Sequence, residues 1–236
     1  MSFFGLDMYY LIIVVPAIIF ALIAQFMVKS TYKKYSKVLN TRGMTGASAA
    51  QSVLAEYGIY DVTIRPIEGN LTDNYNPQTK VLSLSKANFY GTSIAAVGVA
   101  CHEVGHAIQH SQGYTPIKIR SAIVPICNIG SRLGFPLIII GYLLGASFGL
   151  GYFGHLLISL GLVLYAIVAI FQFVTLPVEF NASSRAMKAI ENQGLLYEGE
   201  ISGARKVLTA AALTYVASLL VSLANLIRLY MRFNRR

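Results

Sequence analysis

The sequence predicts an α-helical membrane protein: about four membrane helices, plus a small α+β part outside the bilayer with a sheet of two or three strands. Three observations predict it. Apolar residues make up 55% of the 236 residues and charged residues only 12%, against about 25% charged in soluble domains. Several apolar runs reach the roughly 20 residues that cross a hydrocarbon core. Between the first and second of these lies a more polar stretch, residues 30–118, patterned in short strands and helices.

The first apolar run, Leu6 to Val28, is long enough to span. Met1 to Met8 carry no positive charge and include Asp7, and no small-residue cleavage site follows, so a signal peptide does not fit. Lys29, Lys33, Lys34, Lys37 and Arg42 come next. The positive-inside rule then puts the N-terminus outside and this basic stretch in the cytoplasm. The same rule accounts for the net charge of +9, because the basic residues gather beside apolar segments, and nucleic-acid binding is not expected. Cys101 and Cys127 form no disulfide framework, and Cys101 reads as a packing residue.

In the polar stretch, Gly46 to Tyr57 reads as a helix capped by Thr45, with Ala50, Val53 and Leu54 on one face. Asp61 to Arg65, Leu71, and Lys80 to Leu84 read as β segments, with a turn at Asn74-Tyr75-Asn76-Pro77. A long helix is expected from Ser85 or Lys86 through His102 to about Gln112, ended by Gly113. The apolar part before its histidines, Ile94 to Cys101, is too short to span, which makes this a core helix.

Ser121 to Ala146 and Leu156 to Leu176 form an apolar hairpin around a glycine-rich turn at Gly149 to Gly154, and Pro177 marks its exit. Val207 to Ile227 is a fourth apolar run whose polar stripe (Thr214, Ser218, Ser222, Asn225) suits helix packing. The expected organisation is a membrane helix at 1–29, a cytoplasmic part at 30–120, the hairpin at 121–176, a cytoplasmic helix at 177–206, and a fourth membrane helix with a basic tail at 207–236. Four crossings from an outside start put the C-terminus outside, whereas Arg228, Arg232, Arg235 and Arg236 favour the cytoplasm. The sequence leaves that conflict open.

Residues 102–106 read H-E-V-G-H. Positions i and i+4 share a helix face, so His102 and His106 can grip one zinc ion. Glu103 then stands beside the open coordination position as a general base for a water that the metal activates. The chain has only four histidines, and three fall within nine residues of this helix. Core packing does not ask for that.

The third ligand follows by elimination among His, Cys, Asp and Glu. Asp occurs only at positions 7, 61 and 73, and Asp7 lies outside in the expected topology. His155 sits near the outer turn, about 30 Å of hydrocarbon away from a cytoplasmic site. His110 is about 12 Å along the helix axis from His102, too far to share its metal. Among the downstream glutamates, Glu179 is best placed, because the hairpin returns the chain there to the cytoplasmic interface, and a helix beginning near it would aim it at the site. Arg132 is unusual in an apolar segment. It reads as an interfacial anchor, or as a contact to the transition state or to lipid phosphate, with Asn128 one turn away on the same face.

C-H-E-V-G-H-A-I-Q-H, the following N-I-G-S-R, T-L-P-V-E-F-N-A-S and the earlier D-N-Y-N-P-Q-T-K-V-L together resemble the YugP-type family of neutral zinc metallopeptidases of bacterial membranes. The resemblance covers nearly the whole chain. More remotely, the chain is similar to the HtpX-type and CAAX-prenyl endopeptidases, which also place two spans between the zinc motif and a later E-F-x-A-D motif. The resemblance implies a zincin-like catalytic part facing the cytoplasm of a bacterial cytoplasmic membrane, with one zinc per chain. His102, His106 and Glu179 would be ligands and Glu103 the base. It also implies that Lys80, Val81 and Leu82 belong to an edge strand receiving an extended protein or peptide substrate. The supporting Asp of those relatives is replaced here by Ser183.

The expected function is therefore membrane-embedded zinc endopeptidase. The alternative is a catalytically idle scaffold or adaptor of the same fold. An intramembrane protease fits less well, because no Asp follows residue 73, and a transporter leaves the zinc motif unexplained. The sequence does not read out oligomeric state or a partner membrane protein.

Overall fold

The computed structural model describes residues 8–233. Leu6 and Asp7 of the first apolar run, and Arg235 and Arg236 of the tail, lie outside the described residues. In chain order, a π-helical turn, Tyr10–Val14, leads into α1 (Val15–Tyr35), followed by α2 (Gly46–Glu56), β1 (Thr63–Ile67), β2 (Asn74–Asn76), β3 (Val81–Ser85), α3 (Lys86–Phe89), α4 (Ile94–Ser111), α5 (Thr115–Ser147), α6 (Gly151–Asn192) and α7 (Glu198–Phe233). The π turn has a local cause: Pro16 has no N–H to give the carbonyl of Ile12. The chain is mostly helical, and α1 with its π turn, α5, α6 and α7 are each long and apolar enough to cross a membrane.

The chain divides into two compact units. The first contains residues 24–118 and 176–214. Its core joins Val53 and Leu54 of α2, Leu82 and Leu84 of β3, and Val97, Val104 and Ile108 of α4. From α6 and α7 come Ile190 and Leu208. Thr45 caps α2, its hydroxyl accepting from the Ser48 N–H at 3.1 Å, as expected. Gly113 ends α4 in the left-handed conformation, φ +66.

Several expectations fail in this unit. The helix expected to run unbroken from Ser85 or Lys86 is two helices, α3 and α4, separated at Tyr90-Gly91-Thr92. Ser93 caps the second, accepting from the Ala96 N–H at 3.1 Å. The buried Asn40 side chain pins the junction by donating to the Thr92 and Met44 carbonyls. The expected turn at Asn74 to Asn76 is strand β2, and Leu71, expected in a strand, sits at positive φ before it. A strand of three residues, Asn-Tyr-Asn, is too short and polar to declare itself against turn chemistry. The sheet order is β1-β3-β2, with β1 parallel and β2 antiparallel to β3. So β3 is the central strand, and Lys80, Val81 and Leu82 are not on an edge.

Pro177 does not end a helix: α6 runs through it from Gly151 to Asn192. Glu179 is therefore an interior helical residue, not the start of a new helix. Pro177 costs the Phe173 carbonyl its helical donor, and continuity on both sides outweighs that loss.

The second unit contains residues 8–23, 119–175 and 215–233 among those described. Its α5–α6 hairpin packs backbone on backbone at glycines. A Cβ on Gly161 would stand 2.6 Å from the Gly134 carbonyl oxygen, and one on Gly141 would stand 2.6 Å from that of Gly154. Small residues that let helices close in this way are what drives association where lipid is as apolar as the side chains. Gly149, at φ +67, turns the hairpin.

Candidate metal centre

Two helices of the first unit build the centre. His102 and Glu103 are neighbours on α4 with His106 one turn further on, and Glu179 projects from α6. Gly105 lets them meet: a Cβ there would stand 2.5 Å from the Ala182 carbonyl oxygen of α6. A glycine inside a helix costs up to about 1 kcal/mol relative to alanine. Here it permits a helix approach that alanine would block.

Glu179 Oε2 lies 3.3 Å from His102 Nε2 and 3.5 Å from His106 Nε2. One ligand atom from each of the three residues falls within 4.8 Å of the others. Metal–ligand bonds of about 2.0–2.1 Å in a tetrahedron place the ligand atoms roughly 3.3–3.4 Å apart. The carboxylate is 2% exposed. Two imidazoles and a buried carboxylate at that spacing fit a zinc ion by donor chemistry and by distance.

The rings are held from behind. Gln109 donates through Nε2 to the Val178 carbonyl at 2.7 Å and to Asn181 Oδ1 at 3.0 Å. That leaves its Oε1 to accept, and Oε1 faces His106 Nδ1 at 3.0 Å. This amide orientation, set by the network, puts the proton on Nδ1 and turns the Nε2 lone pair toward Glu179. Arg185 extends the network, donating to Asn181 Oδ1 at 2.7 Å and to Gln112 at 2.6 Å. Ser183 Oγ stands 3.1 Å from His102 Nδ1. Ser183 thus occupies the space behind His102 and can accept its Nδ1–H.

Glu103 is buried beside the three without joining them. Burial raises its carboxyl above the usual range, against the pull of His102 and His106. Burial by itself would lower His106. The Glu179 hydrogen bond and the Glu103 charge outweigh it, so His106 is raised. Cys101, next to His102, is wholly buried, and its thiol is pushed up to about 12 by desolvation, as suits a packing residue.

The other residues singled out by sequence stand outside this cluster. His110 faces Tyr75, whose hydroxyl is 3.2 Å from its Nδ1. It lines a cleft of about 610 Å³ with Tyr60, Asp61 and Lys80. Lys80 is ion-paired with Asp61. Val81 and Leu82 are paired on both sides within the sheet, and Leu82 is buried. The free strand edges belong to β1 and β2. Asn128 and Arg132 are on α5, and His155 is on α6, all in the second unit. Gln109, Asn181 and Arg185 were not anticipated. The Gln in H-A-I-Q-H, one turn past His106, was the available signal.

A family model described as "Putative neutral zinc metallopeptidase" matches residues 10–234. The chain is 45% identical over 226 residues to the "Putative membrane protease YugP" of Bacillus subtilis (strain 168), covering 96% of this chain and 97% of that protein. No solved structure matches. The chain belongs to this family of neutral zinc metallopeptidases.

Proposed function

We propose that the chain is a membrane-embedded zinc endopeptidase, zincin-like in its catalytic part, with one zinc per chain and an active site facing the cytoplasm. The observation that carries this reading is the convergence of His102, His106 and Glu179 with Glu103 buried beside them. The unit that holds them contains most of the chain's Lys and Arg, which supports the cytoplasmic orientation.

A zinc ion held there would polarise a peptide carbonyl and ease the deprotonation of a water molecule. The chain's own residues supply the rest. Gln109 and Ser183 keep both histidines in the tautomer that offers Nε2. Glu103 accepts a proton from the attacking water and returns it to the amine nitrogen as the C–N bond breaks and the new C–O bond forms. Its raised pKa brings it nearer the range where one group both takes and gives a proton at neutral pH. An extended protein or peptide substrate would align on a free strand edge, and β2, which packs against α4, is the edge on the side of the motif helix. α4 itself is not among the helices long and apolar enough to span, which separates this reading from a protease with its motif inside the bilayer.

Elemental analysis of detergent-purified protein tests the reading. About one zinc per chain is expected in the wild type and in Glu103→Gln and His110→Ala, with clear loss in His106→Ala and Glu179→Ala. Retention by Glu179→Ala would remove it from the ligand set. A wild type that binds no zinc when supplied with it would leave an idle scaffold as the better reading.

A further inference from the structure

Within the second unit, one exposed face of α5 carries an asparagine and an arginine that the metal centre does not use. Cys127, Gly130, Gly134, Ile138 and Gly141 are buried. Gly130, Gly134 and Gly141 meet α6 backbone or side chains. Pro125, Asn128, Arg132 and Pro136 recur at helical spacing on another face, and all four are exposed. Among the described residues, no side chain pairs with the Arg132 guanidinium. Pro136 also has no N–H to offer the Arg132 carbonyl, which adds an acceptor at the same level.

The depth of Arg132 follows from the hairpin register. A Cβ on Gly130 would meet the Leu164 carbonyl oxygen, and one on Gly161 would meet that of Gly134, both at 2.6 Å. Arg132 therefore lies level with α6 between Gly161 and Leu164. The apolar run of α6 extends from Leu156 to Leu176. At 1.5 Å per residue, Arg132 is about 10 Å from one end of that run and about 20 Å from the other. A headgroup phosphate is then beyond comfortable reach. A charged side chain exposed at such depth is costly unless it is paired.

A second copy of the chain cannot supply the partner charge. No Asp or Glu lies between Glu103 and Glu179, none follows Glu200, and none lies between Asp7 and Glu56. The spans of this protein thus hold no carboxylate at the depth of Arg132. We propose that this α5 face docks a membrane-spanning helix of another protein that carries an Asp or Glu at mid-bilayer depth, with Arg132 as its ion-pair partner and Asn128 as a second hydrogen-bonding group one turn away. The pairing lets both charges enter lipid together, and a helix without the acid gains nothing from this face.

The test uses full-length protein in phosphatidylcholine vesicles and a synthetic Leu/Ala transmembrane helix with one mid-length Glu, compared with the same helix carrying Leu there. Energy transfer between labelled protein and peptide reports association. The Glu helix should bind wild type about 3- to 20-fold more tightly than the Leu helix, the range expected for an interhelical polar contact. Arg132→Leu should erase the difference, and Arg132→Lys should keep part of it. Equal binding of the two helices, or a preference that survives Arg132→Leu, overturns the proposal. So does loss of the preference when phosphatidylglycerol is added, which would make a lipid phosphate the ligand. Arg132-dependent energy transfer between two labelled copies of the chain would make a second copy the occupant and overturn it as well.

Discussion

His102 and His106 present Nε2 to the same carboxylate oxygen because each has a hydrogen-bonding atom behind its Nδ1. Removing such a partner lets the ring rotate and change tautomer, and typically costs about 10- to 100-fold in metal affinity. Gln109→Ala should weaken zinc binding in that range, as measured by competition with a chelating dye. Ser183→Ala should do less, since a hydroxyl accepts one weaker bond than the anchored amide. A Gln109→Ala chain with unchanged affinity would mean that packing alone fixes the ring. The raised His106 and Glu103 also set a pH dependence for the metal-free protein. A histidine raised in the fold stabilises it below its unfolded pKa, and that contribution is lost as pH rises through the folded value. A carboxyl raised in the fold penalises folding once pH passes its unfolded value, so both act in one direction. Zinc acts the other way, because its ligands must be deprotonated. The Tm gained on zinc addition should therefore grow between about pH 6 and pH 8. A gain that is flat or falls over that interval contradicts the role given to these groups. H-E-V-G-H was legible because its spacing is local to one helix. Gln109 was not, because its partners Val178 and Asn181 are 69 and 72 residues away and are known only once α6 is docked.

Gly105 shows the same contrast between local pattern and packing at the level of elements. Nothing in the pattern of α4 asks for glycine there, yet α4 and α6 can cross at the metal centre only without a Cβ. Gly105→Ala should raise helix propensity and still destabilise the fold, by roughly 1–3 kcal/mol for an overpacked contact. Because the added methyl pushes Ala182 and so Glu179 away, zinc affinity should fall with stability, and a thermal melt with a zinc titration reads both. An alanine variant that melts higher and binds zinc normally would show that the backbone yields without moving the ligand. Periodicity revealed α2, the apolar runs and the hydrophobic β3. It could not reveal β2, whose Asn-Tyr-Asn carries turn chemistry, or the order that places β3 in the centre, which depends on pairing between distant segments. Pro177 reads as the exit of the hairpin, and proline inside a helix usually breaks it. The stretch beyond it carries its own buried helical face, Ala182, Ala186, Ala189 and Ile190, and that burial holds the helix together through the proline.

The conflict between span count and basic tail belongs to the molecule as a whole. Four helices among the described residues are long and apolar enough to cross, and four crossings would put both ends of the described chain on one side. Within the second unit, the Arg228 guanidinium stacks over the Tyr10 ring, 4.7 Å from its centroid, so the start of the first helix and the end of the last are neighbours. That contact agrees with the even count. The positive-inside bias weighs Lys and Arg on both sides, and the tail arginines are outnumbered by those of the metal-centre unit, including Lys29, Lys33, Lys34, Lys37 and Arg42. The expected outcome is a metal-centre unit in the cytoplasm and a basic tail outside. Single cysteines introduced into a Cys101→Ala, Cys127→Ala chain test it at three exposed positions, Tyr197, Tyr152 and Tyr230. An impermeant thiol reagent applied to intact cells should label Tyr152→Cys and Tyr230→Cys, while Tyr197→Cys should react only after the membrane is opened. Labelling of Tyr197→Cys from outside would invert the orientation and with it the cytoplasmic site. Protection of Tyr230→Cys beside a labelled Tyr152→Cys would show that α7 does not cross, and the tail arginines would then lie with the rest of the positive charge.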